Sequence, residues 1–247
     1  MEKHLINYLL VEKYLTLKSE SKKMIKTHFK GYDTIVWNYV IENRAQFMID
    51  ESVKLPQNGL RGFEDCYNEL LKITSSGIGW IDPKSIYYPE TLRFYKPEVK
   101  MLFTRGEKHL LKETRNVAIV GSRKPTSYGR KVAYDLSKFL AKNGLCVVSG
   151  MALGVDSQAH RGALDGGGKT IAVLASGVNQ PYPPSNLKLY HEIIDTGGLI
   201  LSEQFIDDLA LKYHFPLRNR IISAISDAVV IIEAGEKSGS LITATHA

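Results

Sequence analysis

The chain contains 247 residues, of which 44% are hydrophobic and 23% charged, a balance typical of a globular protein with one sizeable core and a small additional module. No run of about 18 apolar residues is present and the N-terminus lacks a small-residue cleavage site, which disfavours a membrane span and a secretory signal. The net charge of +6 is concentrated between Arg93 and Lys131, where eleven basic residues stand against three acidic ones, so this segment predicts either an anionic partner or a solvated charged face.

Cysteine usage places the protein in a reducing compartment. The two cysteines, Cys66 and Cys146, are too few for a disulfide framework or a cysteine-based metal cluster, although a single bridge stays open. Cys146 lies inside an apolar run and is expected to be a small buried residue. We therefore expect a reduced, cytoplasmic protein.

The first 72 residues predict a small all-α module. Apolar residues recur there at intervals of three and four, as they do on one face of a helix. The clearest sets are Leu5, Tyr8, Leu9 and Val11 and, further on, Ile35, Val36, Tyr39 and Val40. The module is interpreted either as a packing appendage or as a separate protein-interaction domain.

Residues 73–115 predict an irregular connector. Three prolines, Pro83, Pro89 and Pro97, interrupt the segment, and only the short apolar patch 101–103 suggests a strand.

From residue 117 onward, apolar strands alternate with amphipathic helices. The predicted strands are Val117–Val120, Leu145–Val148, Thr170–Leu174, Leu199–Leu201 and Ala228–Ile232. A helix over Tyr128–Asn143 is expected to turn its large apolar residues inward and to stop at Gly144. Those inward residues are Val132, Leu136, Phe139 and Leu140. The alternation predicts an α/β fold with a doubly wound parallel sheet covered on both faces.

Nearly all of the residues that follow the predicted strands are small. They are Gly121–Arg123, Ser149–Gly150, Ala175–Gly177, Ser202–Glu203 and Glu233–Gly235. Parallel strands place these turns along one edge, where backbone N–H groups and helix N-termini meet a ligand. The sequence therefore predicts a phosphate-binding rim.

The first turn does not fit a nucleotide cofactor. Between Gly121 and Gly129 it offers no further glycine, and the second strand ends in Ser149 and Gly150 instead of the acidic residue of a dinucleotide site. The phosphate-loop pattern of an ATPase is missing as well. Arg123 places a bidentate donor at the mouth of the crevice instead, which suits a phosphodiester.

Two further arginines open the last predicted helix. Arg218 and Arg220 oppose its dipole, so each needs compensation, either from Glu203 or Glu233 or from a bound phosphate. We expect one arginine to form an internal ion pair and another to contact a ligand.

No catalytic or metal site is predicted. Asp156 and His160 have the spacing of two metal ligands, but a helix cap and a surface residue are the preferred interpretation. Ser238 and Ser240 lie in a glycine-containing loop without the surroundings of a nucleophile. Glu203 and Glu233 could pair for hydrolysis, although partnership with the arginines is favoured. No cofactor is expected.

The motifs of the second half, taken together, resemble the DNA-processing protein A (DprA/Smf) family. They stand in the family's order over about residues 78–247: IYYPETL with KMLFTRG, IVGSR, SGMALGVDSQAH, GGGKTIAVLASGVNQPYPPSN, GGLILSEQ, FPLRNRIISAIS and EAGEKSGSLITATHA. The resemblance implies an extended Rossmann-like fold over residues 73–247 and, in some members, a helical domain similar to a sterile-alpha-motif fold, which residues 1–72 could form.

The resemblance also implies a function and a set of site residues. Family members are not enzymes; they bind single-stranded DNA without strong sequence preference, protect it during natural transformation and load the recombinase RecA, commonly as dimers. The implied DNA-binding residues here are Gly121, Ser122, Arg123, Gly150, Lys169, Lys212, Phe215, Arg218, Asn219 and Arg220. Stacking on bases would fall to Phe215 and to Tyr128, Tyr182 and Tyr213.

Two points remain open from the sequence. The family's domain continues with strands beyond the position of Ala247, and these carry much of its dimer and RecA-contacting surface, so a homodimer is expected only if that region is present. The alternative function is a nucleotide sensor or an enzyme similar to nucleoside-monophosphate phosphoribohydrolases, using Glu203 and the turn 235–240.

Overall fold

A computed structural model describes residue 68 and residues 71–235 of the chain. Contacts divide the chain into two units, Met1–Ile78 and Gly79–Ala247. The predicted helical module lies almost entirely outside the described residues, as do Cys66 and the turn 236–240, and these remain expectations.

The described residues of the second unit form a mixed sheet of seven strands. In chain order they are β1 (Gly79–Ile81), β2 (Leu102–Gly106), β3 (Asn116–Gly121), β4 (Cys146–Ser149), β5 (Thr170–Leu174), β6 (Leu199–Ser202) and β7 (Ala228–Ile232). Their order across the sheet is β1-β2-β6-β5-β4-β3-β7. The last five are parallel to one another, whereas β1 and β2 are antiparallel additions beside β6.

Helices cover both faces of the sheet. They are α1 (Leu110–Glu113), α2 (Ser127–Lys142), α3 (Val155–Asp165), α4 (Leu187–Asp195) and α5 (His214–Ala224). Helices α2 and α3 enclose a core cluster with one face of β3, β4 and β7. Helix α5 encloses a larger cluster on the opposite face, together with residues of the 81–110 segment. The fold is therefore a doubly wound, Rossmann-like α/β fold, as predicted.

The five predicted parallel strands are confirmed, but the interpretation of residues 73–115 was incomplete. This segment supplies two strands, β1 and β2, where one was expected, and its 3-10 helix Glu90–Phe94 packs Leu92 into the core. Antiparallel pairing of β2 with β6 runs from Phe103 to Gly106. Short strands at a sheet edge carry little periodicity, so only the ladder partner reveals them.

The inward face of α2 differs from the predicted one. Its fully buried positions are the small residues Gly129, Ala133, Ser137 and Ala141, and Phe139 is 63% exposed. The other predicted residues, Val132, Leu136 and Leu140, are partly buried beside the cluster. Because α2 packs closely along α3, small residues form the contact and large ones flank it, a pattern that counting large apolar residues does not detect.

Cys146 is buried in β4, as expected, and burial raises the pKa of its thiol to about 12. The thiol is therefore protonated at physiological pH and unreactive in the folded protein. Among the described helices, none combines the length and apolarity needed to span a membrane.

Candidate nucleic-acid interface

The carboxyl ends of the five parallel strands meet at one edge of the sheet. Strand β3 lies between β4, which follows it in sequence, and β7, which returns from the far side of the sheet. The order in which strands are added to the sheet therefore reverses between β3 and β7, which makes this position the topological switch point of the sheet. Ligands of open α/β sheets bind at such a switch point.

Arg123 is an exposed cation at this edge. It lies in the loop between β3 and α2, and its guanidinium carbon is 4.9 Å from the centre of the Phe215 ring. Phe215 in turn meets the ring of Tyr182 edge to face, with centroids 5.9 Å apart. We call Arg123, Phe215 and Tyr182 the arginine–aromatic row. A cation beside two aromatic faces can bind a phosphate and stack on the attached base.

Two other predicted residues flank the row on the chain leading into α5. Lys212 and Tyr213 are exposed, and Tyr213 keeps 60% of its surface accessible. Lys212 precedes Phe215 by three residues and places a positive charge just before α5. Tyr128, the fourth aromatic residue named from the sequence, is 77% exposed in the first turn of α2.

Arg218 does not lie on the surface. Only 6% of it is exposed, and its Nη1 donates to the carbonyl oxygen of Gly150 at 2.5 Å and to that of Val173. A Cβ atom at position 150 would lie 2.4 Å from Nη1, so glycine is required there for the arginine to approach. Burial lowers the pKa of Arg218 to about 10, which leaves it charged at neutral pH.

Asp156 is the buried countercharge near Arg218. Its carboxylate accepts hydrogen bonds from the N–H groups of Gly150 at 3.1 Å and Ala152 at 3.3 Å. Burial raises the pKa of Asp156, and the Arg218 charge opposes that effect. The backbone of Gly150 is thus held at two points: its N–H group donates to Asp156, and its carbonyl oxygen accepts from Arg218.

The sequence-based interpretation of Asp156 and His160 was wrong. Gly154 is the N-cap of α3, and Asp156 is an internal residue that holds the preceding loop. His160 is fully buried, with Nδ1 2.7 Å from the hydroxyl of Thr170, and burial lowers the pKa of its imidazole to about 3. Its hydroxyl partner, at the start of β5, lies ten residues further along the chain.

Arg220 forms the internal ion pair expected of one arginine. Its Nη2 lies 2.7 and 2.6 Å from the two carboxylate oxygens of Glu203, and only 2% of the residue is exposed. Burial raises the pKa of Glu203, an effect that Arg220 opposes. Asn219, between the two arginines, is also buried and accepts from Arg218 Nε at 3.2 Å. The three residues therefore support the rim from beneath.

Glu203 and Glu233 do not form a carboxylate pair. They follow β6 and β7, which lie at opposite sides of the parallel array with three strands between them. At about 4.8 Å per strand the separation is roughly 19 Å, more than the spacing of paired hydrolytic carboxylates. Within the described residues, no group of three or more His, Cys, Asp or Glu side chains is arranged to hold a metal.

Glu233 binds the loop that carries Arg123. Its carboxylate accepts from the N–H of Thr126 at 2.7 Å and from the Thr126 hydroxyl. The Thr126 hydroxyl in turn caps α2 by accepting from the N–H of Gly129 at 3.1 Å. This contact gave no sequence signal beyond an acidic residue after a strand, because its partner is 107 residues away.

The ionised carboxylate of Glu233 should make the free energy of unfolding depend on pH in the acidic range. The hydrogen bonds from Thr126 lower the pKa of Glu233 below its ordinary value of 4.5. A lowered pKa in the folded state contributes stability above the pKa of the unfolded chain and loses it as pH falls through the folded value. We expect wild type to exceed Glu233→Gln in urea stability at pH 7 and the difference to shrink progressively as the pH falls below 4.5. A difference that does not change with pH would contradict the assignment.

Lys169 lies apart from the other predicted residues. It precedes β5, at the amino edge of the sheet, and its ammonium group donates to the carbonyl of Thr196 after α4. The length of β5 separates it from the crevice. Because Lys169 directly precedes Thr170–Leu174, a strand already predicted from the sequence, its place at the amino edge could have been foreseen.

The basic stretch from residue 93 to residue 131 is likewise divided between two edges. Arg123 and Lys124 follow β3 at the carboxyl edge, whereas Lys112 and Arg115 precede it at the amino edge. The six residues of β3 span about 17 Å. The charges counted together in the sequence therefore do not form one patch.

Comparison with known proteins identifies close relatives. The model of the family described as DNA recombination-mediator protein A matches residues 80–247. DNA processing protein DprA of Bacillus subtilis is 38% identical over 188 residues, which cover 74% of this chain and 63% of that protein. Protein Smf of Escherichia coli is 36% identical over 204 residues, which cover 78% of this chain and 54% of that protein. The chain thus spans little more than half the length of these relatives.

Two solved structures share the fold. DNA processing protein A from Streptococcus pneumoniae superposes with a TM-score of 0.72 at 28% identity, covering 97% of this chain and 81% of that one. DNA processing protein A from Helicobacter pylori, which binds single-stranded DNA, gives a TM-score of 0.61 at 37% identity and covers 68% of this chain and 75% of its own.

Proposed function

Since the chain belongs to the DNA recombination-mediator protein A family, we propose that it binds single-stranded DNA at the carboxyl edge of its sheet, without strong sequence preference. The observation that carries this proposal is the arginine–aromatic row. Arg123 offers an exposed guanidinium to a phosphate, and Phe215 and Tyr182 offer ring faces and edges beside it. Base–aromatic stacking tolerates any sequence because every base has a π face.

The proposed site comprises residues in two roles. Arg123, Lys212, Phe215 and Tyr182 would contact DNA, because each has exposed or half-exposed surface at the crevice. The backbone of Gly121, Ser122 and Gly150 would form the rim. Buried Arg218, Asn219 and Arg220 are assigned to positioning that rim, since their side chains are engaged within the protein. Lys169 is left out of the proposed site.

Fluorescence anisotropy with a labelled oligo-dT tests the proposal. We expect the logarithm of the affinity to fall linearly with the logarithm of salt concentration, since each neutralised phosphate of a single strand contributes a slope of about −0.7. A mixed-sequence strand should bind within a few-fold of oligo-dT, and the same sequence as a duplex should bind less well. No binding at low salt, or a clear preference for duplex, would reject the proposal.

Removing the aromatic ring of Phe215 should weaken binding. Phe215→Leu keeps an apolar side chain but loses stacking and the cation–π contact with Arg123, which together predict about a tenfold loss of oligo-dT affinity. Because stacking neutralises no phosphate, the slope of log affinity against log salt concentration should stay near the wild-type value. Phe139→Leu, at an exposed ring on the outer side of α2, serves as the matched control and should bind as wild type. Equal binding by both variants would remove Phe215 from the site.

Family membership also supports more specific roles in the cell. We propose a cytoplasmic protein that protects incoming single strands in natural transformation and loads RecA onto them, as a homodimer if the region that forms the family's dimer is present. Light scattering of the protein with and without oligonucleotide measures its oligomeric state. Strand exchange by RecA on strands coated with a single-strand binding protein measures loading, and no stimulation at saturating protein would reject that role.

A further inference from the structure

We infer that Glu233 determines what the crevice excludes: its carboxylate occupies the anion-binding start of α2 and so closes the first turn of the fold to the phosphate of a nucleotide. In sheets of this kind, the turn after the first parallel strand and the start of the next helix bind nucleotide phosphates through unpaired N–H groups. Here those elements are β3 and α2. Thr126, the N-cap residue of α2, donates both its N–H and its hydroxyl to a carboxylate of the chain itself.

The contacts of Glu233 are those a bound anion would make. One oxygen accepts from the Thr126 N–H at 2.7 Å and the other from the Thr126 hydroxyl. One backbone donor and one side-chain donor therefore converge on this carboxylate. They do so at the N-terminus of α2, where the helix dipole favours negative charge. The N–H of Gly129 is also satisfied within the chain, by the Thr126 hydroxyl.

Gly129 leaves the space in which this carboxylate lies. A Cβ atom at position 129 would be 2.4 Å from the carboxyl carbon of Glu233 and 2.5 Å from Oε1. Any side chain there would displace the carboxylate, while glycine admits one compact anionic group against the helix. The fit points to a place for a single anion, held by Glu233.

The backbone of Glu233 supports the same interpretation. Its φ is 54°, in the left-handed region that residues with side chains seldom adopt. The residue follows β7, whose last residue pairs with Gly121 at the end of β3. The segment after β7 thus supplies the acceptor, Glu233, and the segment after β3 supplies Thr126, the residue that caps α2. The strained backbone conformation of Glu233 directs its carboxylate to Thr126.

The consequence is selectivity between anions. A mononucleotide or dinucleotide needs the helix start for its phosphate and finds it filled with negative charge. A longer phosphodiester chain can still reach Arg123, which projects from the neighbouring loop and whose side chain is exposed. This inference does not rest on DNA binding, because it concerns phosphate at α2 alone.

Titration calorimetry with sodium pyrophosphate at low ionic strength tests the inference on the full chain. Glu233→Gly removes the carboxylate and suits the positive φ, so we expect pyrophosphate to bind about tenfold more tightly than to wild type. Glu233→Gln keeps the volume and an acceptor and should show no gain. In the double variant Glu233→Gly with Gly129→Ala, the added methyl group fills the space and should abolish the gain.

Three results would overturn the inference: wild type binding pyrophosphate as tightly as Glu233→Gly, no gain in Glu233→Gly, or a gain that survives Gly129→Ala. Near-UV circular dichroism establishes that each variant is folded. Should Glu233→Gly fail to fold, Glu233→Ala carries the same expectation. Oligo-dT binding of wild type is measured separately, so failure of the proposed DNA function and failure of this inference are distinguishable.

Discussion

Arg123→Ala is expected to lower the affinity for oligo-dT by about 30-fold at low salt, the largest loss expected from a single exposed residue. A guanidinium–phosphate contact is a charge-assisted hydrogen bond, worth about 1.5–3 kcal/mol when its charged partner is retained. Arg123 is exposed at the switch point and is held over Phe215, so the side chain is already placed for a phosphate. Anisotropy titrations over a range of salt concentrations measure both affinity and slope.

The salt slope separates a phosphate contact from a general loss of structure. Loss of one phosphate contact should reduce the slope by about 0.7. Arg123→Lys keeps the charge but loses bidentate geometry, and it should recover the slope while recovering only part of the affinity. Lys169→Ala is the matched control, because Lys169 is an exposed cation at the opposite edge of the sheet. Similar losses in Arg123→Ala and Lys169→Ala would place the DNA elsewhere.

Arg218→Met is expected to destabilise the protein by about 3–5 kcal/mol. The substitution leaves the carbonyl groups of Gly150 and Val173 without this donor and leaves the buried Asp156 without its countercharge. Breaking one side of a buried ionic arrangement costs this much because the remaining charge stays desolvated. Urea unfolding followed by circular dichroism measures the change.

A double-mutant cycle with Asp156→Asn tests the partnership. If Asp156 and Arg218 support each other through the Gly150 peptide, the double variant should be less destabilised than the two single changes added together. Arg161→Met, on the exposed side of α3, is the control and should change stability by less than about 0.5 kcal/mol. An effect of Arg218→Met no larger than that of Arg161→Met would mean that Arg218 is not part of the supporting structure.

The parallel part of the fold could be predicted because its strands are continuous apolar runs that alternate with amphipathic helices. Thr170–Leu174 and Ala228–Ile232 have the same bounds in the sequence pattern and in the structure. The antiparallel strands β1 and β2 could not be found in the same way. Strand β1 has three residues, and its place depends on pairing with β2, not on its own pattern.

The site was predicted in part. Arg123 and Phe215 are in contact, as motifs of one site should be, although 92 positions separate them in the chain. Tyr182 joins them only because the loop after β5 passes beside the start of α5. The interpretation of Asp156 as a cap failed because Gly154 is the N-cap of α3, and the Asp156 side chain turns back to the peptide N–H groups of the preceding loop.

By itself, the sequence determined the alternation of strands and helices, the edge at which the strand ends gather, the unsuitability of the first turn for a dinucleotide, and the family motifs. These follow from local patterns, in which period, small residues and residue type carry the information. Only the tertiary structure decided which arginine is exposed: Arg218 and Arg220 are buried against a peptide carbonyl and Glu203, and Arg123 lies on the surface. The physical reason is that a charge is buried only where distant partners compensate its desolvation, and those partners are brought together by the fold alone.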